Sequence, residues 1–513
     1  MSDTILIIDY GSQYTQLIAR KIREQNIYCV VKPYNKIHSL FTNTSNIAGI
    51  ILSGGPNSVE EKNSPKFNKK ILNLDIPILG ICYGMQLLCK EFKGKIGQSK
   101  SREYGHAVIS IKNNSNILKG VIKNTQVWMS HGDHIEKSPK GFIVTSVSKN
   151  NVISSIENKS KKIFGLQFHP EVYHTIKGKI ILSNFINKIC KIKKKFKIEN
   201  FLLNKIAYFK KYLHGKKIIC GLSGGVDSTV TSYLLHKAVG KNLFCIFVDH
   251  GLLRFNESIE VESIFKRKFG KNFIKVDASN IFLKRLKKIK DPEKKRKIIG
   301  KTFIEVFEKE AKRIKNVDYL AQGTLYPDII ESIPFFGGPT AKIKSHHNVG
   351  GLPKQMNLKI IEPLKELFKD EVRELGKKLN INSELLDRHP FPGPGLAIRI
   401  PGEIDKQKID ILQRVDNEFL KYLKESKIYN EIWQAFSVLL PVKSVGVMGD
   451  ERTYSYAVSL RAVTSVDGMT ADFYMFSKND LTEISKRIIS KVEEVNRVLY
   501  DFTSKPPGTI EWE

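Results

Sequence analysis

Two clusters of residues in this 513-residue chain have the types and spacing of catalytic groups. The first begins in Ile76-Pro77-Ile78-Leu79-Gly80-Ile81-Cys82-Tyr83-Gly84-Met85-Gln86, an apolar run that ends in Gly-x-Cys-x-Gly. That is the pattern of a nucleophile elbow, with cysteine in place of serine. Glycines flank the turn because a sharp strand-to-helix bend leaves no room for side chains. The bend sets the thiol at a helix N-terminus, which favours thiolate. A thiolate needs a base, and Gly165-Leu166-Gln167-Phe168-His169-Pro170-Glu171 offers one. If the chain is extended there, His169 and Glu171 share a face. His169 can then take the thiol proton while Glu171 orients the ring. Ser53-Gly54-Gly55-Pro56 follows another apolar run. Its Gly55 N–H can form half of an oxyanion hole, with the Tyr83 N–H as the other half. A lone cysteine after a strand is usually a buried apolar residue. The three motifs together, in this order, read as a catalytic triad of Cys82, His169 and Glu171. Cys29, Cys89, Cys190, Cys220 and Cys245 read as structural.

The second cluster suits phosphate. Lys217-Ile218-Ile219-Cys220-Gly221-Leu222 is an apolar strand, and Ser223-Gly224-Gly225-Val226-Asp227-Ser228 follows it into a helix. Small residues let backbone N–H groups close around an anion at a helix N-terminus. The loop is not a Walker A loop, because Gly-Lys-Ser/Thr is missing. Contacts are expected from Ser223, Gly224, Gly225, Val226, Asp227 and Ser228. An acidic residue inside a phosphate loop is repulsive without a cation, so Asp227 implies Mg²⁺ as its metal. The next strand ends in Phe247-Val248-Asp249-His250-Gly251-Leu252-Leu253-Arg254. Such strand ends face the ligand crevice of open parallel sheets, which makes Asp249 and Arg254 candidates to line the site. The paired His346-His347 lack a third and fourth ligand, so a metal there is rejected. Their polar, glycine-containing surroundings read as a mobile lid over the phosphate site.

Both clusters need strands to present them. Strand-like runs at 5–8, 47–52, 76–81, 218–222 and 243–248 mostly precede polar or helical stretches. That alternation argues for βαβ units and a parallel sheet in each of two regions. A basic run, Lys191 to Lys197, lies between helical patterns at 179–189 and 199–213 and reads as a linker. Pro390-Phe391-Pro392-Gly393-Pro394-Gly395 stops regular structure and marks a further boundary. The expected domains are 1–192, 198–389 and 390–513. The last carries helices at 406–424 and 481–499 and strands at 444–448 and 455–460.

On these motifs the first region resembles the class I glutamine amidotransferases. That resemblance implies that Cys82 forms a glutamyl thioester and releases ammonia. The second resembles the N-type ATP-pyrophosphatases, with an adenine-nucleotide alpha-hydrolase-like fold. It implies that ATP gives AMP and pyrophosphate, with Lys369 of Phe368-Lys369-Asp370 meeting the phosphates. NAD and asparagine synthetases also join such parts, with different glutaminase domains. The third region is more discriminating. Lys443-Ser444-Val445-Gly446-Val447-Met448-Gly449-Asp450, Asp467-Gly468-Met469-Thr470-Ala471-Asp472 and Lys505-Pro506-Pro507-Gly508-Thr509-Ile510-Glu511-Trp512-Glu513 resemble the GMP synthase family. That likeness implies xanthosine monophosphate (XMP) as acceptor, bound by Arg296, Gln434, Asp450, Lys505, Ile510 and Glu511. It also implies amination at C2 to GMP and a homodimer formed through the third domain. Glu451 departs from the expected glycine. The fold class expected is α/β, two open parallel-sheet domains plus a smaller α+β dimerisation domain.

Composition bounds the rest. Hydrophobic content of 41% and charged content of 27% suit a soluble protein. No stretch approaches the roughly 20 apolar residues of a membrane helix, and no secretory signal begins the chain. Six cysteines without paired spacing form no disulfide framework, so the expected compartment is the cytoplasm. The net charge of +32 could mark a nucleic-acid binder. Lysine far outnumbers arginine, whereas base readout favours arginine, so no nucleic-acid partner is expected. The charge reads first as the lysine bias of an AT-rich genome, and it also suits capture of polyanionic substrates.

Overall fold

The computed structural model describes residues 3–37, 46–331, 358–448, 451–465, 471–505 and 507–513. They form two compact units, the first over Met1–Phe201 and the second from Leu202 onward. The first unit is built on a nine-stranded sheet. Its strands are β1 (Thr4–Asp9), β2 (Tyr28–Pro33), β3 (Ile47–Leu52), β4 (Ile78–Ile81), β5 (Lys95–Ile111), β6 (Asn124–Lys137), β7 (Ile143–Ser148), β8 (Ile153–Asn158) and β9 (Ile163–Leu166). The order is β2-β1-β3-β4-β9-β8-β7-β5-β6. Strands β2 to β9 along that order are parallel, and β9, β8, β7, β5 and β6 continue it antiparallel. The sheet is therefore mixed, where the βαβ alternation alone predicts a parallel one. The central strands are continuous aliphatic runs, and Ile5, Ile7, Ile8, Ile50, Ile51 and Leu52 are all fully buried. Such runs belong to strands covered on both faces. The covering helices include α1 (Thr15–Arg23), α2 (Tyr83–Glu91) and α3 (Gly178–Ser183), the last continued by a π-helical turn at Asn184–Ile189.

After α4 (Ile198–Tyr212), the second unit opens with a five-stranded sheet, all parallel. It comprises β10 (Ile218–Gly221), β11 (Leu243–Asp249), β12 (Phe273–Asp277), β13 (Tyr319–Ala321) and β14 (Lys359–Ile361). The order β12-β11-β10-β13-β14 reverses direction at β10. That switch point is where an open α/β sheet leaves its ligand crevice. Helices α5 (Val226–Val239), α6 (Glu257–Phe269), α7 (Ser279–Leu286), α8 (Pro292–Arg313), α9 (Tyr326–Glu331), α10 (Lys369–Lys378) and α11 (Ser383–Leu386) connect and flank it. The basic stretch at 284–297 is divided between α7 and α8. Asp291 caps α8, accepting from the Lys294 N–H at 2.7 Å, and Pro292 fills the first helical position, where no donor is needed.

The C-terminal region adds α12 (Lys406–Glu425), a long ribbon of β15 (Gln434–Met448) and β16 (Glu451–Thr464), β17 (Asp472–Phe473), α13 (Lys478–Lys491) and β18 (Val495–Tyr500). β16 pairs antiparallel with β15 and β17 and parallel with β18. The helix expected over 481–499 thus ends at Lys491. Val492 leaves helical geometry, and Val495, Val498 and Tyr500 belong to a strand laid on β16. One apolar core runs from Ile219, Phe282 and Phe307 through Leu396 and Ile400 to Phe419, Leu460 and Ile484. Packing is continuous across residue 390.

Candidate active sites

In the first unit, β4 delivers Cys82 to the start of α2. Cys82 has φ +51°, a left-handed value rare for a residue with a side chain. The neighbouring glycines explain how the turn closes. A Cβ on Gly84 would lie 2.5 Å from the Leu52 carbonyl oxygen, and one on Gly80 2.5 Å from the Gly84 oxygen. The Gly84 N–H donates to Ser53 O at 3.1 Å, tying α2 to the end of β3.

The strand β9 brings up the base. His169 Nδ1 and Glu171 Oε1 are 2.7 Å apart, both side chains buried. β6 fixes the backbone there: the His169 N–H donates to Trp128 O at 3.0 Å, and Thr175 Oγ1 donates to His169 O at 2.6 Å. Tyr14 meets the imidazole edge-on at 5.0 Å. Burial disfavours the charged ring, but the Glu171 carboxylate and Cys82 outweigh it and hold His169 well above the ordinary histidine range. Among the described residues Glu171 Oε2 has no hydrogen-bond partner, and Oε1 is the oxygen that meets His169. Gly54 and Gly55 lie in the same place. A Cβ on Gly54 would meet His169 Cε1 at 3.0 Å, and one on Gly55 would meet Tyr10 O at 2.8 Å and the Tyr83 ring at 3.3 Å. The Tyr83 amide is in the first turn of α2, where an N–H has no partner within the helix.

Sequence reasoning missed a buried network behind this loop. The Asp9 carboxylate accepts from Thr15 Oγ1 at 2.7 Å and Gly11 N at 3.0 Å, and Ser53 Oγ lies 3.4 Å away. Ser53 Oγ in turn accepts from Tyr10 N at 2.9 Å. Burial pushes the Asp9 carboxyl up despite those donors. Burial pushes Cys89 and Cys220 up to about 12, and Cys190 and Cys245 upward as well.

In the second unit, β10 runs into the loop and α5 begins at Val226 with Gly225 as its cap. The loop holds itself by its hydroxyls. Ser228 Oγ accepts from Ser223 N at 3.2 Å and donates to Gly225 O at 3.1 Å, and Gly225 N donates to Ser223 Oγ at 3.3 Å. Gly224 has φ +78°. Amides of the first turn of α5 are thereby gathered at the switch point of the sheet. Asp227 lies in that first turn, and Lys369, the first residue of α10, donates to both its oxygens at 2.7 and 2.6 Å. Asp249 ends β11 at the same edge and accepts from Gly251 N at 3.0 Å. Arg254 is engaged elsewhere: it donates to His389 O and Pro390 O and lies 4.4 Å over the Phe391 ring. It braces the Pro-rich segment. His346, His347 and the expected lid lie outside the described residues, as does Asp450.

A third cluster gathers the C-terminal tail. The Glu511 carboxylate accepts from Arg399 Nε at 3.1 Å, Arg399 Nη2 at 2.9 Å and Gln434 Nε2 at 2.5 Å. Arg296 donates to Glu513 O, and Lys295 to Glu513 Oε2 at 2.6 Å. Ile510 packs against Phe436, Val438 and Val463. Lys505 pairs with Ala471 through both backbone groups. The structure thus brings Arg296, Gln434, Ile510 and Glu511 into one region with Lys295, Arg399 and Arg461. Those last three are fully or almost fully buried cations that sequence reasoning missed. Arg461 donates to Ile510 O, Thr509 O and Thr503 O at 2.8 to 3.0 Å. The signal was present: Arg399 and Arg461 each interrupt an apolar run, Leu396-Ala397-Ile398-Arg399-Ile400 and Leu460-Arg461-Ala462-Val463. A buried charge is retained only when partnered.

Residues 6–189 match the family described as glutamine amidotransferase class-I, 196–302 that of NAD synthase, and 421–512 the GMP synthase C-terminal domain. The chain is 53% identical to a GMP synthase (glutamine-hydrolysing) of Petrotoga mobilis, over all of both chains. It is 52% identical to that of Aquifex aeolicus, over 99% of each. It is 51% identical to that of Bradyrhizobium diazoefficiens, over all of this chain and 93% of the relative.

Proposed function

The chain belongs to the glutamine-hydrolysing GMP synthase family, and from that premise we propose how its residues divide the reaction. Cys82 Sγ attacks the glutamine carboxamide carbon after its proton passes to His169. The Gly55 and Tyr83 amides hold the oxyanion, His169 returns the proton to the departing ammonia, and water cleaves the thioester to glutamate. Glu171 keeps the ring oriented throughout. The observation that carries this half is the His169–Glu171 contact of 2.7 Å behind a cysteine at an elbow.

In the second unit, the loop Ser223 to Ser228 holds the phosphates of ATP through its amides, with Asp249 at the nucleotide. The C2 oxygen of XMP attacks the α-phosphorus and pyrophosphate leaves. Ammonia then displaces AMP at C2 to give GMP. Activation is needed because an amide-like oxygen is a poor leaving group. Among the described residues no three histidines, cysteines or carboxylates stand together. Asp227 in the phosphate loop nonetheless suits Mg²⁺, which is commonly held by one or two carboxylates plus substrate phosphates. Bound there, the ion would neutralise phosphate charge. Lys369, now on Asp227, is placed to turn to the same phosphates. Arg296, Gln434, Asp450, Lys505, Ile510 and Glu511 form the proposed XMP site.

The division 1–192, 198–389 and 390–513 remains the proposed domain plan. A homodimer, acting in the cytoplasm, is proposed through the third domain. The β15–β16 ribbon supports it: Val445 and Tyr454 oppose each other, and with Val447 all three are 60% exposed or more beside an edge strand. The test is GMP formation from XMP, ATP, Mg²⁺ and glutamine, with ammonia as alternate donor. AMP and pyrophosphate are the expected products; ADP and phosphate would overturn the loop assignment.

A further inference from the structure

Gln167 and Gln86 are buried amides beside Cys82 to which the reaction above gives no task. Gln167 has no exposed surface and Gln86 is 3% exposed. Burying such a group without partners is costly, and their partners form a chain with one direction. The Asp133 carbonyl oxygen, on β6, can only accept, and Gln86 Nε2 donates to it at 2.9 Å. The same nitrogen donates to Gln167 Oε1 at 3.4 Å. That leaves Gln167 Nε2 facing Cys82 Sγ at 3.8 Å. A flipped Gln167 would set N–H against N–H at one end and oxygen against sulfur at the other, so the network assigns its orientation. The sulfur also meets Ser130 O at 3.6 Å, an acceptor that favours the thiol. Gln167 is the donor that favours the thiolate.

We propose that Gln167 is a catalytic residue of the glutaminase: a buried N–H donor, aimed by Gln86, that holds the Cys82 sulfur once its proton has gone to His169. The proposal rests on Cys82 being the nucleophile. The sulfur keeps the S–H electron pair, the imidazole takes the proton, and the amide neither gains nor loses one. The His169 imidazole interacts with the sulfur, and Glu171 stands behind it. Both remain in a Gln167 variant, so a change confined to neutral pH reports the amide.

The test measures the rate at which iodoacetamide modifies Cys82 against pH, in the full chain, for wild type, Q167M and Q86M. Turnover of glutamine with XMP and ATP present is measured alongside. Hydrogen bonds to charged groups are the stronger kind, so Q167M should react and turn over about ten-fold more slowly near pH 7.5, with KM for glutamine little changed. At high pH, where the thiol ionises unaided, its modification rate should rejoin wild type, showing an intact site. Q86M should lose less, in the same direction. Wild-type reactivity of Q167M near pH 7.5 would overturn the proposal, and so would slow modification at every pH, which means blocked access. If modifying wild-type Cys82 leaves glutamine-dependent synthesis intact, the nucleophile reading falls and this one with it.

Discussion

The turn after β4 and the turn after β10 share a path, strand into helix N-terminus, and use it in opposite ways. The first projects a side chain. Cys82 carries the left-handed φ itself, and Gly80 and Gly84 are there because backbone oxygens at 2.5 Å leave no room for a methyl. The second presents the main chain. Its left-handed residue is a glycine, Gly224, and its serines bond inward to the loop, leaving amides for an anion. A nucleophile needs one atom held rigidly against a base, whereas phosphates need several weak donors at once. The same contrast appears in the charges. His169 is made basic by a carboxylate 2.7 Å away, while the acid of the phosphate loop is covered by a lysine.

The largest effects should separate the two turns functionally. Cys82→Ala should abolish glutamine-dependent GMP synthesis and spare synthesis from ammonia, whereas Asp227→Ala should abolish both; an assay with each donor decides. Loss of both activities in Cys82→Ala would break the two-site division. A smaller effect should appear in stability. Gly84→Ala forces a methyl onto a backbone oxygen and should cost about 1–3 kcal/mol or more. Gly225 has extended backbone and nothing nearer its Cβ than Ser223 Oγ at 3.3 Å, so Gly225→Ala should cost under about 1 kcal/mol while lowering ATP-dependent activity. Denaturant melts of the two variants would expose a wrong reading if Gly225→Ala were the less stable.

A further effect concerns pH. Burial pulls His250 and His389, both in the second unit, down to about 4. Unfolded histidine titrates near 6.5. The unfolded chain therefore binds these protons first, and their stabilisation, present at neutral pH, is lost as pH falls from about 6.5 towards 4. His169 has the opposite sign: its contribution is full below the unfolded value and is lost only as pH rises through its raised one. Hydrogen exchange at pH 7.5 and 5.5 should show the core of the second unit losing roughly 2–3 kcal/mol relative to the first. Equal losses would remove the distinction.

The legibility of the sequence followed the same line. Both turns could be read because each concentrates its constraint in a few adjacent residues. The antiparallel half of the first sheet could not, since β6 meets the site only through backbone carbonyls and the pairing of β5 to β8 is decided by distant strands. The strand at Val495–Tyr500 read as helix because no glycine or proline separates it from α13, and only β16 makes it a strand. Ser53, Asp9 and Gln167 were overlooked because a buried polar residue looks ordinary until its partners are known. For the proposed XMP site, local pattern contributed little, and likeness supplied the residues.

The buried cations have a consequence for biosynthesis. Lys295, Arg399 and Arg461 are all made before the segment 503–513 whose carboxylates and carbonyls neutralise them. Until that segment emerges, among the described residues Lys295 has only the Ala397 and Ile400 carbonyls and Arg461 only Asp501, while Arg399 lacks its Glu511 carboxylate. A nascent chain at that stage should stay open and hydrated there, and final closure should coincide with arrival of the tail. Removal of Glu511 and Glu513 should therefore leave Arg399 and Lys295 buried without their carboxylates, a costly state.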